Sequence, residues 1–179
     1  YGPEAKNSDL ATILNNLGIL EMELGNYDKA RVYYEQSWEM MRHVYGPEAK
    51  NSDLATILNN LGILEMELGN YDKARLYYEQ SLEMKRHVYS PEAKNIDLAE
   101  TLNNLGILEM ELGNYDKARV YYEQSWEMMR HVYGPEAKNT DLPQHSTTLV
   151  FWRATLEIMT RLNCISSNHW RRSNMCTVP

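Results

Sequence analysis

One 44-residue unit dictates most of this 179-residue chain. Residues 1–44, "YGPEAKNSDLATILNNLGILEMELGNYDKARVYYEQSWEMMRHV", return as 45–88 and again as 89–132. The second copy differs from the first only where Leu76, Leu82 and Lys85 replace Val32, Trp38 and Met41. The third carries Ser90, Ile96, Glu100 and Thr101 as its departures. A unit this short cannot bury its apolar faces on itself, so copies must stack against one another, and the architecture is settled by how one unit folds.

Each unit spells two helices. In the first half, Ile13, Leu17, Leu20 and Leu24 follow the spacing of one helical face, with Ser8 or Asp9 available as cap and Gly25 as stop. In the second half, Asn26 stands where a cap belongs, and Tyr27, Ala30, Tyr34, Ser37 and Met41 form the apolar stripe. Arg42 and His43 sit at the end that the helix dipole favours for cations. "YGPEAKN" then supplies Gly and Pro for a connecting loop. No strand pattern is present, so the expected fold class is all-α, an α-solenoid of antiparallel helix hairpins. Its array spans 1–142: units 1–44, 45–88 and 89–132, and the start of a fourth, 133–142.

Leu17-Gly18, then Gly25-Asn26-Tyr27, then Ala30 followed by Tyr34 resemble the tetratricopeptide repeat (TPR) signature, in register three times over. "LNNLG" and the long unit ending in "YGPE" are similar to the kinesin light chain and nephrocystin-3 subgroup. Glu21, Glu65 and Glu109 stand where the standard motif has Tyr. The resemblance implies a TPR superhelix whose first helices line a concave groove, placing Thr12, Asn15, Asn16, Ile19 and Glu23 on or near it. It further implies a ladder of amides, Asn16, Asn60 and Asn104 with Asn15, Asn59 and Asn103 beside them, able to donate to and accept from an extended peptide backbone. No Lys or Arg lies between Asp9 and Gly25. A clamp for a terminal carboxylate is therefore unsupported, and a neutral or basic segment is the expected partner.

The remaining conspicuous residues read as packing or solvated surface. The 13 tyrosines recur at equivalent places, as core residues do. His43, His87 and His131 fall at helix ends, and the glutamates of "EMEL" and "YEQSWEM" are expected on exposed faces rather than around a metal. A catalytic site needs one asymmetric constellation, whereas almost everything here occurs three times, so no enzyme, metal or cofactor is expected. The net charge is −7, and the segment after Leu142 carries Arg153, Arg161, Arg171 and Arg172 against Glu157 alone, leaving −10 for the repeats. An acidic body argues against nucleic acid as partner. No run approaches the roughly 20 apolar residues of a membrane helix, and the first residues lack the blocks of a signal peptide, so a cytoplasmic protein without membrane insertion is expected. The chain opens at Tyr1 in mid-pattern without an initiator Met, which points to a fragment of a longer protein.

At Pro143 the repetition stops. Residues 143–179 read as a fourth unit in the wrong frame: back-translated and moved by one base, "PQHSTTLVFWR" becomes "ATTLNNLGILE". The whole tail of 37 residues then decodes to a sequence matching 99–135 at 26 positions. Cys164 and Cys176 lie in this segment without partners at metal-binding spacing. As translated, it offers a helix over about 146–162 by the spacing of Leu149, Trp152, Leu156 and Met159, with a disordered remainder. Without a cap, the last unit would leave Tyr115, Tyr122 and Met129 on an open face.

These features point to a non-catalytic protein-interaction scaffold that grips an extended peptide. A sensor or oligomerisation array of a larger signalling ATPase is the rival reading, although no phosphate-binding G-x-x-x-x-G-K-[ST] is present. A non-functional gene fragment is the third.

Overall fold

The computed structural model describes residues 3–89 and 95–133. Six helices run through them: α1 Pro3–Glu23, α2 Tyr27–Tyr45, α3 Ser52–Glu67, α4 Tyr71–Val88, α5 Ile96–Glu111 and α6 Tyr115–Tyr133. Among the described residues there is no strand. The helices pair as three hairpins, α1 with α2, α3 with α4, and α5 with α6. They form two compact units, one holding the first two hairpins and the other the third. The segment 143–179, with its expected helix and disordered end, lies outside the described residues, as does the fourth unit beyond Tyr133.

Each hairpin turns on the same few residues. Gly25, Gly69 and Gly113 adopt φ of 75°, 74° and 76°, the left-handed conformation that only glycine takes without strain. The following Asn sends its backbone N–H to the carbonyl of Glu21, Glu65 or Glu109, at 2.8 Å in all three. This closes the end of the first helix and starts the second.

The second helix lays the expected stripe on its partner: Ala30, Tyr34, Ser37 and Met41 are all buried. Tyr34 packs against Gly18, where a Cβ would meet the ring at 2.5 Å; Gly62 and Gly106 stand the same way to Tyr78 and Tyr122, at 2.5 and 2.6 Å. The Gly of the Leu-Gly pair is therefore a close-approach position, and any side chain there would displace a core aromatic. Beside it, a buried hydroxyl ties the two helices. Ser37 donates to the Ala11 carbonyl at 2.7 Å, Ser81 to Ala55 at 2.6 Å and Ser125 to Ala99 at 2.7 Å. These bonds satisfy polar groups that would be costly to bury alone.

Four details depart from the sequence reading. The face Ile13, Leu17 and Leu20 is exposed in α1, yet its copies Ile57, Leu61 and Leu64 are buried in α3, while Leu24 and its copy Leu68 are exposed alike. The reason is that α2 packs on α3, joining Ala30, Tyr34 and Met41 to Leu54, Ile57, Leu61 and Leu64 in one cluster, whereas no helix among the described residues precedes α1. The caps are Asn51 and Asn95, whose side chains accept the N–H of Asp53 and Asp97, rather than Ser or Asp at the next two positions. Asn26 and Asn70 do occupy the cap position of the second helix, but their side chains make no cap bond. Finally, Tyr122 and Met129 are not on an open face. They point inward at α5, with Tyr122 over Gly106 and Met129 clustered with Ala99, and of the three only Tyr115 is exposed.

Candidate functional site

Helical spacing puts Thr12, Asn16, Ile19 and Glu23 on one face of α1, and all four are exposed. The copies on α3 are Thr56, Asn60, Ile63 and Glu67, with the outer two exposed and the inner two half-buried. On α5 they are Glu100, Asn104, Ile107 and Glu111, disposed likewise. No Lys or Arg falls within α1 after Lys6, in α3 or in α5, so each of these faces carries acidic charge without a cation of its own.

The amide pairs divide. Asn60 donates its Nδ2 to Asn15 Oδ1 at 3.0 Å, a bond that links α3 to α1 across two neighbouring repeats. Asn59 and Asn103 are inside, 4% and 2% exposed, so their amides serve the helix packing rather than the surface. Asn16 is exposed, and Asn15, Asn60 and Asn104 are half-buried. The surface-facing set is thus Asn16, Asn60 and Asn104, with Asn15 spoken for in the first unit.

A second polar cluster went unseen in the sequence. Glu65, expected on a solvated face, is 0% exposed. It accepts a hydrogen bond and ion pair from Arg31 of α2 and, at 2.8 Å, a bond from Asn70 Nδ2. Burial pushes its carboxyl up, but the bonds from Arg31 and Asn70 outweigh that and hold it below the usual carboxylate range. The same contact raises the Arg31 guanidinium. The Asn-to-Glu bond recurs in every hairpin, from Asn26 to Glu21 and from Asn114 to Glu109, both at 2.7 Å. The glutamate that replaces the motif tyrosine is therefore a turn anchor in each repeat, and in Glu65 it is also the anion that seats the preceding repeat. A recurring Glu at a motif aromatic position, ten residues before a recurring Arg, was the available signal.

Tyr34, Tyr78 and Tyr122 behave as core. Burial pushes the Tyr34 phenol up to about 12, with Glu23 adding to it, and pushes Tyr78 and Tyr122 higher still. Tyr115 and Tyr45 are exposed, at 60% and 42%, and Tyr27, Tyr33, Tyr71, Tyr77 and Tyr121 are half-buried. His43, His87 and His131 are exposed at helix ends. Among the described residues no three His, Cys, Asp or Glu gather in a way that could hold a metal ion, and no helix is long and apolar enough to cross a membrane.

Family comparison agrees with this geometry. Tetratricopeptide repeat models match residues 9–91 and 98–136, together well over half of the chain. The chain belongs to the tetratricopeptide repeat proteins. Its fold class is accordingly the all-α helical repeat of α-solenoids, and the module is one that serves protein interaction and is generally non-catalytic. No curated protein sequence matches the chain. Among solved structures it is similar to BtubC (BKLC) from P. vanneervenii, at 25% identity and TM-score 0.62, over 76% of this chain and 52% of that one. The chain thus spans about half the length of BtubC. It also shares its fold with the N-terminal domain of stress-induced protein-1 (STI-1) from C. elegans, at 17% identity and TM-score 0.55, over 86% of this chain and 97% of that one.

Proposed function

We propose that the chain is a scaffold whose first-helix faces bind an extended peptide segment, neutral or basic in charge, within a cytoplasmic protein of the kinesin light chain and nephrocystin-3 kind. The observation that carries this reading is the stripe of Thr or Glu, Asn, Ile and Glu, presented at the surface of α1, α3 and α5 without a cation among them. The exposed Asn16 amide carries donors and an acceptor that match a peptide backbone, and Asn60 and Asn104 continue its row. The isoleucine gives apolar contact, and the glutamate favours Lys or Arg on the ligand. The 44-residue unit and the likeness to BtubC, a kinesin light chain-like TPR protein, support the subgroup.

A peptide array probed with the full chain tests the reading. Basic and neutral peptides are expected to bind, acidic ones to be excluded, and the joint change of Asn16, Asn60 and Asn104 to Ala to remove at least a tenfold share of affinity. Binding untouched by the triple change, or a preference for acidic peptides, would sink it. The shifted frame at Pro143 favours one alternative, a non-functional gene fragment, and an intact fourth repeat in the transcript would eliminate that.

A further inference from the structure

Helices α1 and α3 touch directly, and a hydrogen bond runs from the surface row of α3 back to α1. Asn60 Nδ2 donates to Asn15 Oδ1 at 3.0 Å, and both residues are half-buried. The bond joins the second Asn of one repeat to the first Asn of the repeat before it. An amide carries two N–H groups and a carbonyl oxygen. Asn60 commits one N–H to Asn15, which leaves one N–H and the oxygen, the set that matches the C=O and N–H of a single peptide unit. Asn15 stands behind this pair. Its copies Asn59 and Asn103 are 4% and 2% exposed, so the first Asn of a pair is placed to act on a ligand through its neighbour.

We propose that Asn15 is a positioning residue for peptide binding: its carbonyl oxygen holds the Asn60 amide in one orientation, with one donor and one acceptor turned to the backbone of an extended peptide. This role presupposes the peptide scaffold proposed for the chain and adds how one of its amides is aimed. An asparagine alone on a helix surface rotates about its side-chain torsions, and fixing it on binding lowers affinity. The bond to Asn15 fixes it during folding instead. Because the groups left on Asn60 match backbone, they add affinity without reading the side chains of the peptide. Selection by charge falls to Glu67, exposed further along the same face of α3.

Fluorescence anisotropy of a labelled peptide of alternating Lys and Thr, titrated with the full chain, tests this. Asn60→Leu should weaken binding about fivefold, and Asn15→Leu by a similar factor although it removes no group that touches the peptide. The double variant should bind no more weakly than either alone, since both changes break one arrangement. Asn15→Asp should restore binding, because its carboxylate still accepts from Asn60 Nδ2. In the peptide-free chain, NMR relaxation of the Asn60 side-chain amide should show it rigid in the unaltered chain and in Asn15→Asp, and mobile in Asn15→Leu. Full binding by Asn15→Leu beside weakened binding by Asn60→Leu overturns the positioning role and leaves the peptide scaffold standing. So does additive loss in the double variant, an Asn60 amide equally mobile in all three chains, or an Asn15→Asp as weak as Asn15→Leu, the behaviour of an Asn15 N–H that touches the peptide itself. Failure of the unaltered chain to bind the peptide, or binding indifferent to Asn60→Leu, removes this role together with the scaffold it presupposes. Should Asn15→Leu melt early, Asn15→Ala gives the same comparison.

Discussion

Helices α1 and α3 are written with the same residues and play different parts. In α3 the segment Pro47–Lys50 is loop, Asn51 at φ −140° caps the helix, and the helix starts at Ser52. In α1 the same letters are already helical from Pro3. The difference lies in what comes before. The chain leaving α2 must turn, and Gly46 at φ 95° makes that turn. It is held there by Arg42 donating to the Pro47 carbonyl at 3.1 Å and by Tyr45 donating to Asp53 at 3.2 Å. The same contrast governs burial, since Leu64 is 0% and Leu20 52% exposed. Sequence writes the helix, and the preceding repeat decides which of its faces is core.

This contrast can be broken at single positions, and leucine is the strongest lever. Leu64→Ala opens a cavity between α2 and α3 and is expected to cost about 3 kcal/mol, whereas Leu20→Ala, half in water already, should cost under about 1 kcal/mol. Equilibrium urea unfolding of the two variants gives the difference. Next comes the turn glutamate. Glu65→Ala strands Arg31 and Asn70 and should cost about 2 kcal/mol, a figure lowered because Arg31 is partly in solvent; Glu21→Ala loses only the Asn26 bond and an exposed lysine, about 0.5 kcal/mol.

The charge on Glu65 also writes a pH signature. Its folded carboxyl titrates below the usual range, so its contribution is fully present above the ordinary carboxylate pKa and disappears as pH falls through the lower, folded value. Thermal melts from pH 6 down to pH 2 should show an acid loss that is smaller in Glu65→Gln. Tyr34 acts at the other extreme. Its phenol is pushed up to about 12, so the stability tied to its neutral form is complete below pH 10 and is lost as pH rises towards that value. The smallest effect belongs to the caps. Asn51→Ala should cost about 1 kcal/mol by removing the bond to the Asp53 N–H.

Much of this was legible from the letters alone. The repeat length, the Leu-Gly pair and the stripe Ala30, Tyr34, Ser37, Met41 led directly to hairpins, because Tyr34 packs on Gly18 and Ser37 bonds to the Ala11 carbonyl within one unit. Illegible was everything decided between units. Helix α3 buries two faces, one on α4 and one on α2, so a single-face periodicity could not say which leucines are core. The same holds for Glu65, which looks solvated until Arg31 from the preceding repeat reaches it. The candidate site was half legible. The Asn pairs stand out in the letters, but adjacent residues on a helix point about 100° apart, so the pair cannot share one face, and Asn59 and Asn103 are the buried members.

The account rests on context rather than sequence making α1 and α3 differ, and one construction tests that directly: a further copy of residues 1–44 placed ahead of Tyr1. The helix that was α1 then follows a second helix with the α2 sequence. Urea unfolding should show the cost of Leu→Ala at the former Leu20 rising from under about 1 to about 3 kcal/mol, the value for Leu64. An unchanged cost would contradict the claim that the preceding repeat creates that half of the core.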